Sequence, residues 1–196
     1  MPGVHEELRA AGIRFEADGA QPALRSECAR LASRVRERQL RSIGLAPAGD
    51  DVAVPAVAIE LGSALAERSA GPVGVVDASG SWACARALVE RALPDGTPLA
   101  TSWLLGNLAV LAPRTRHAGA VLGHLRGFFL GQAATFDHLV VDLTGLDHLG
   151  EHLAAIGLLD AVVLVARSGI TTARQVQRRI RGLPEGRSLG VLLTGL

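Results

Sequence analysis

Short apolar runs alternate with amphipathic segments along most of this chain. Continuous apolar runs are typical of strands buried on both faces. They occur at 42–46, 72–76, 107–112, 138–142, 161–165 and 189–193. The segments between them have a helical period, and they are 54–68, 80–91, 116–132, 148–158 and 171–182. Strands that alternate with helices in this way predict a three-layer α/β/α fold with a mainly parallel sheet.

An amphipathic helix is predicted before the first strand. Its apolar positions are Leu24, Cys28, Leu31 and Val35, which are spaced by four, three and four residues. Residues 1–20 mix glycine, alanine and charge without a sustained period, so we expect a loosely ordered arm there. The remaining stretch, 21–196, has the length of one ordinary domain, and we expect it to fold as one.

Composition narrows the functions open to this domain. The chain is 48% hydrophobic but only 3% aromatic, so we expect an aliphatic core and no base-stacking surface for nucleic acid. A net charge of +1 gives no field that would attract nucleic acid or an anionic membrane. The start of the chain lacks the pattern of a signal peptide, and no apolar run is long enough to span a bilayer. We therefore expect a cytoplasmic protein that reaches a membrane only through a partner.

The stretch 136–196 carries a resemblance to a known family. One strand ends in Asp142, the strand AVVLVARSG is followed by TTARQV, and a last strand is followed by a small turn. This stretch resembles the end of bacterial tyrosine kinase (BY-kinase) domains of capsule and exopolysaccharide systems, which belong with the MinD/ParA-type P-loop ATPases. Upstream, VGVVDASG is similar to the family's second Asp-bearing strand and places Asp77 there. The resemblance covers about residues 22–196 and implies a P-loop NTPase-like fold.

The loop after the first strand departs from the family's pattern. The family has a glycine-rich loop ending in Gly-Lys-Ser/Thr, whereas this chain has no lysine and offers Gly49, Asp50, Asp51 and Val52. The family's lysine neutralises the β- and γ-phosphates. An aspartate about 4 Å from a phosphate would instead contribute a repulsive interaction energy on the order of 4 kcal/mol. We therefore expect a vestigial phosphate loop and no bound cofactor.

The resemblance implies roles for three further positions. In an active member, Asp77 and Asp142 would order magnesium and an attacking water. The alternative is that each carboxylate caps a helix or hydrogen-bonds a loop, and without a lysine we expect both to be vestigial. Thr194 stands where the family often has an asparagine that reads adenine. The chain contains no tyrosine, so we expect the family's autophosphorylated tail to be missing.

The first helix has an implied role in subunit contact. Glu27, Arg30 and Ser33 resemble the family's ring-forming Glu-x2-Arg-x2-Arg element, with the last arginine replaced and Arg34 one position further along. We therefore expect Glu27, Arg30 and Arg34 to form an interface in a homo-oligomer or hetero-oligomer. The resemblance suggests a homologous kinase or ATPase, or a polysaccharide co-polymerase, as the partner.

A second basic cluster lies near the C-terminal end of the sequence. It consists of Arg174, Arg178, Arg179 and Arg181. These arginines could bind phosphate or an acidic partner, or they could form the solvated face of a helix whose Val176 and Ile180 turn inward.

The altered phosphate loop predicts a pseudo-ATPase or pseudokinase that serves as a scaffold or regulator, with no cofactor or metal. The resemblance implies that it works in bacterial envelope polysaccharide synthesis or export. Two alternatives stay open. One is an active MinD/ParA-like switch that binds Mg-ATP with arginine in place of lysine. The other is a zinc hydrolase, because His148, Glu151 and His152 spell the H-x-x-E-H pattern of inverted zinc metalloproteases. Gly150 lowers the helix propensity of that pattern, and no third ligand stands out beyond His138 or Asp142.

Overall fold

The computed structural model describes residues 21–50, 52–78, 80, 82, 97–104, 106–114, 121–146 and 151–195. The α-helices in these ranges are α1 Gln21–Glu37, α2 Val54–Ala66, α3 Val121–Gly131, α4 His152–Ile156 and α5 Ala173–Gly182. The strands are β1 Ser42–Pro47, β2 Val73–Asp77, β3 Leu99–Trp103, β4 Leu108–Pro113, β5 His138–Asp142, β6 Ala161–Arg167 and β7 Ser188–Thr194. A short 3₁₀ turn, Ala133–Thr135, follows α3.

These strands form one seven-stranded sheet. Their order is β3-β4-β2-β5-β1-β6-β7, and within this set only β3 runs antiparallel to its neighbour. The helix α2 connects β1 to β2, and these two strands lie on either side of β5 in the sheet. The prediction of a mainly parallel α/β sheet is confirmed.

Helices cover both faces of the sheet. On one face α1 and α2 pack through Cys28, Leu31 and Leu65 against a cluster that includes Val75 and Val163. On the other face α3 and α4 pack on the side chains that point the opposite way, among them Val76 and Val141. Because the central strands alternate apolar side chains toward both layers, their sequences are continuously apolar. The predicted three-layer arrangement follows from this packing.

The sequence pattern misjudged both edges of the sheet. No strand was predicted at Leu99–Trp103, where the sequence LATSW combines two buried residues with Thr101, Ser102 and an exposed Trp103. The prediction that β7 is buried on both faces is wrong, because Val191 and Leu193 are exposed. An edge strand has a neighbour on one side only and is less fully covered, so its apolar run is less continuous than that of a central strand.

Several predicted elements differ in extent from the observed ones. The helix predicted at 171–182 begins at Ala173, after a capping box in which Thr172 accepts from the backbone N–H of Gln175. The described part of the helix predicted at 148–158 spans His152–Ile156. Most of the helix predicted at 80–91, and the arm predicted at 1–20, lie outside the described residues.

The helix α2 approaches the sheet most closely at Gly62. A Cβ atom at this position would lie 2.3 Å from Cγ2 of Val75 in β2, which is well inside van der Waals contact. Gly62 therefore sets the distance between α2 and the sheet, and with it the position of the loop that precedes α2.

We predict that Gly62→Ala destabilises the protein by about 1–3 kcal/mol, because the added methyl group forces Val75 or α2 to move. The matched control is Gly123→Ala in α3, where a Cβ would meet nothing within 4 Å. That change should stabilise the protein by about 0.5–1 kcal/mol through higher helix propensity. Urea unfolding of both variants measures the difference. Equal stability of the two variants would contradict the close contact.

Candidate functional site

The predicted site residues gather at the carboxyl edge of the sheet. Ala48, Gly49 and Asp50 follow β1, while Asp51 lies outside the described residues. Asp77 ends β2, Asp142 ends β5 and Thr194 ends β7. The carboxyl ends of parallel strands meet at one edge of a sheet, and ligands of open α/β proteins bind there. The register pairs Asp77 directly with Asp142. The fold therefore brings together two carboxylates that are distant in the sequence.

The start of α2 is poorly equipped to bind an anion. Its N-cap residue, Ala53, makes no side-chain capping bond, and Pro55 in the first turn has no N–H. The N–H of Val54 donates to the carbonyl of Val52 at 3.1 Å, and Val54 is fully buried. A phosphate loop needs free backbone N–H groups at this point. The described part of the loop offers instead the exposed carboxylate of Asp50.

The two strand-end carboxylates are closed off by Trp82. The backbone N–H of Trp82 donates to Oδ2 of Asp77, and its indole Nε1–H donates to Oδ2 of Asp142, each at 2.8 Å. The N–H of Thr144 donates to Oδ1 of Asp142 at 2.8 Å. The exposed fractions are 0% for Asp77, 1% for Asp142 and 5% for Trp82. Both carboxylates are thus hydrogen-bonded to loop residues within the protein interior.

Trp82 also joins the apolar layer beneath α2. It belongs to the same packed cluster as Val54 and Val57 of the first helical turns. A magnesium ion bound to phosphates keeps several waters and needs carboxylate oxygens that face them. Here those oxygens accept hydrogen bonds from Trp82 and Thr144, and the site excludes solvent. The residues present do not fit a magnesium nucleotide in the manner of an active P-loop enzyme.

Burial perturbs the ionisation of Asp142. Desolvation, with a smaller contribution from the charge of Asp77, raises the pKa of the Asp142 carboxyl to about 6. The hydrogen bonds from Thr144 and Trp82 oppose this shift because they stabilise the carboxylate. The charged form is therefore costly even with its hydrogen bonds in place.

Sequence reasoning did not identify Trp82 as part of the site. The signal was available, because a single large aromatic side chain follows five residues after the strand-end Asp77 in a chain that is only 3% aromatic. The sequence did not indicate which residue Trp82 contacts, because Asp142 lies 60 residues further along the chain.

A cavity of about 430 Å³ lies beside the loop that follows β1. Gly49 and Asp50 of the loop line one side, and Arg178 and Arg179 of α5 line the other. Its floor is apolar and includes Leu164 of β6. This is the place in the described structure where arginines from the second basic cluster approach the loop.

The predicted interface residues occupy the surface of α1, but they differ in their contacts. Arg30 forms an ion pair with Glu27 one turn earlier and is largely exposed. The guanidinium of Arg34 donates to the backbone carbonyl of Leu189 in β7 at 3.3 Å. Arg25 of the same helix pairs with the buried Glu60 of α2 at 3.6 Å. Arg30 therefore faces outward, Glu27 beside it is only partly exposed, and Arg34 also ties α1 to the edge of the sheet.

The remaining candidates do not converge on a reaction centre. The hydroxyl of Thr194 donates to the carbonyl of Ala166, so it takes part in the β6–β7 edge. Of the zinc pattern, Glu151 and His152 border α4, while His148 lies outside the described residues. No group of three side chains suited to hold a metal ion occurs in the described part of the chain.

Solved structures identify the fold. The BceF tyrosine kinase domain matches with a TM-score of 0.68 and 16% identity, over 98% of this chain and 87% of that chain. The kinase domain of the Escherichia coli tyrosine kinase ETK matches with a TM-score of 0.67 and 19% identity, over 92% and 77% respectively. A ParA family ATPase from Chlorobium tepidum TLS matches with a TM-score of 0.55 and 16% identity, over 78% and 73%.

The chain therefore has the P-loop NTPase-like fold of BY-kinase domains and a ParA ATPase, as the sequence predicted. No family model matches the sequence, and no curated protein matches it. Among the described helices, none has the length and apolar character needed to cross a membrane.

We predict that the raised pKa makes Asp142 a source of pH-dependent stability. Between about pH 4 and 6 the folded protein holds a proton on Asp142 that the unfolded chain has released, so this contribution to stability falls as pH rises through that window. Asp142→Asn removes the titration. The free energy of unfolding of the wild type, relative to this variant, should fall by about 2–3 kcal/mol from pH 4 to pH 8. Urea unfolding at both pH values measures it, and a constant difference would contradict the raised pKa.

Proposed function

We propose that this protein is a pseudo-ATPase of the BY-kinase and MinD/ParA fold that acts through contact with other proteins. The observation that carries the proposal is the closed carboxylate pair, in which Trp82 occupies the hydrogen-bonding positions of Asp77 and Asp142. Catalysis of phosphoryl transfer requires a metal, a phosphate cradle and a positive charge together. Here the carboxylates are buried, and the chain contains no lysine.

The start of α2 supports the same conclusion. Pro55 and the bonded N–H of Val54 remove donors from the position where a phosphate would bind. The acidic side chain of Asp50 adds repulsion. Each of these features weakens nucleotide binding by itself, and they act at the same end of the sheet.

A second candidate function is an ATP-dependent switch of the MinD/ParA type. The observation in its favour is the cavity beside the loop, because Arg178 and Arg179 line it together with Gly49. Arginine can hold a phosphate through two parallel hydrogen bonds, so it could replace part of the charge of a lysine.

We predict that the wild-type protein shows no binding heat with Mg-ATP at millimolar concentration. A fluorescence measurement tests the site directly, because Trp82 and Trp103 are the two tryptophans of the chain. In the variant Trp103→Phe, the emission of the buried Trp82 should stay unchanged when Mg-ATP is added. A saturable change in the micromolar range would contradict the proposal. If Arg178→Ala then abolished that change and Arg126→Ala on α3 did not, the switch would be the better account.

We further propose that the scaffold works in bacterial envelope polysaccharide synthesis or export. The support is the likeness of its fold to BY-kinase domains, which the sequence resemblance places in such systems. Its partner would be a polysaccharide co-polymerase or a homologous kinase or ATPase, which would recruit it to the cytoplasmic face of the inner membrane. Glu27 and Arg30 of α1 would form part of the contact, within a homo-oligomer or hetero-oligomer.

We predict that Arg30→Glu disrupts this association, because the new carboxylate would repel Glu27 and any acidic partner group. The matched control is Arg36→Glu, an exposed position on the same helix. Light scattering of the purified protein, alone and with a candidate partner, should show loss of the oligomer in the first variant and not in the second. The melting temperature should change little in either, since exposed pairs contribute about 0.5 kcal/mol or less. A strictly monomeric wild type that binds no candidate partner would contradict the proposal.

A further inference from the structure

The strand β7 forms an edge of the sheet and carries exposed apolar side chains. Val191 is 41% exposed and Leu193 is 45% exposed. Their register partners in β6 are Leu164 and Ala166, so all four side chains point to the same face. The helix α5 covers Leu164 and Ala166 through Val176, but it leaves the two β7 side chains open to solvent.

The position of α5 explains why this apolar face stays open. The helix is well defined, because Thr172 and Gln175 form a capping box at its start, yet no residue within it is buried. Ile180, one turn after Val176, is 40% exposed. The expectation that Ile180 turns inward is therefore not met. The helix lies over β6 and does not reach far enough to cover β7.

The backbone of β7 is open as well. The carbonyl of Thr194 accepts from the N–H of Ser168, so the backbone of Thr194 faces β6. In a strand, the N–H and C=O of one residue point to one side, and those of the next residue point to the other side. Val191 and Leu193 therefore direct their backbone groups away from β6. Arg34 satisfies the carbonyl of Leu189 earlier in the strand. The open stretch of the edge thus begins after the irregularity between Ser188 and Gly190.

Arginines surround this open stretch. Arg34 lies beside its start, and the side chain of Arg167 lies beside Gly195 at its end. Arg174 and Arg181 are exposed on α5. Glu185 lies in the turn before β7, and Glu27 of α1 pairs with Arg30. The edge is therefore basic although the whole chain has a net charge of only +1.

We propose that β7 is a docking edge for an extended acidic segment of another protein, which adds to the sheet as an eighth strand. Backbone groups of Val191 and Leu193 would pair with the segment, and an alternation of acidic and apolar residues would match the arginines and the open apolar face. A second copy of this chain fits less well, because pairing two β7 strands would bring two sets of arginines together. The surface is distinct from the nucleotide site, so the inference does not depend on loss of ATP binding.

The experiment uses two synthetic peptides with blocked ends and alternating sequence. One alternates glutamate with valine, and the other alternates lysine with valine. Isotope-labelled full-length protein is titrated with each, and the amide signals of Val191 and Leu193 are followed by NMR. We expect the acidic peptide to shift these signals and the basic peptide to leave them unchanged. Fluorescence anisotropy of the labelled acidic peptide then gives the affinity.

Four variants, two of them controls, test the backbone pairing and the charge recognition. Leu193→Pro removes an outward N–H and should weaken the acidic peptide about tenfold or more, whereas Leu193→Val keeps the N–H and should bind like the wild type. Arg167→Glu should weaken binding about tenfold at low salt, and the effect should shrink at high salt. The matched control is Arg126→Glu on α3, which should bind like the wild type.

Several results would overturn the proposal. Equal binding of both peptides, or shifts confined to other parts of the sheet, would show that β7 does not recognise an acidic strand. Slow hydrogen exchange of the Val191 and Leu193 amides in the free monomer would show that the edge is already paired within the chain. A concentration-dependent dimer that Leu193→Pro abolishes would assign the edge to a second copy. None of these results bears on Mg-ATP binding, so the two proposals fail independently.

Discussion

The carboxylates of Asp77 and Asp142 end adjacent parallel strands, and the structure around them has to offset the free-energy cost of burying both. Parallel pairing fixes the two side chains next to each other at the carboxyl edge of the sheet. Buried carboxylates must be hydrogen-bonded or neutralised, because burial without partners costs several kcal/mol. In this protein Trp82 supplies N–H groups to both, and it also fills the apolar space under the start of α2. Both carboxylates at this edge of the sheet thereby lie in the protein interior.

Other residues at the carboxyl edge of the sheet agree with this arrangement of Asp77, Asp142 and Trp82. The loop after β1 lacks a lysine, the first turn of α2 has lost donor groups, and Thr194 is engaged with β6. The fold itself is the P-loop NTPase-like fold of the BY-kinase domains and the ParA ATPase that the chain matches. A fold of this kind is stabilised by its aliphatic core and not by its ligand site. Under the proposed function, this fold would keep surfaces for other proteins without the chemistry of a P-loop enzyme.

The two surfaces proposed for contact with other proteins, on α1 and on β7, are neighbours in the structure. The exposed face of α1 presents Glu27 and Arg30, and the neighbouring edge of β7 presents open backbone groups beside arginines. Arg34 connects the two, because it belongs to α1 and bonds to the backbone of β7. Edge strands are usually protected by charge or by a covering element, and under the docking proposal the arginines would disfavour pairing of two β7 strands while favouring an acidic strand.

The sequence by itself determined the fold class and the central strands, because strands buried on both faces leave continuous apolar runs that need no knowledge of their neighbours. It also determined the absence of a phosphate-binding lysine and the presence of Asp77 and Asp142 at strand ends. Only the tertiary structure decided which strands lie at the edges, as the missed β3 and the exposed side chains of β7 demonstrate. It alone brought Trp82 to Asp142 and Arg34 to Leu189, across 60 and 155 residues of chain. Periodicity reports how a residue relates to its own helix or strand, whereas these contacts depend on which distant segment becomes its neighbour.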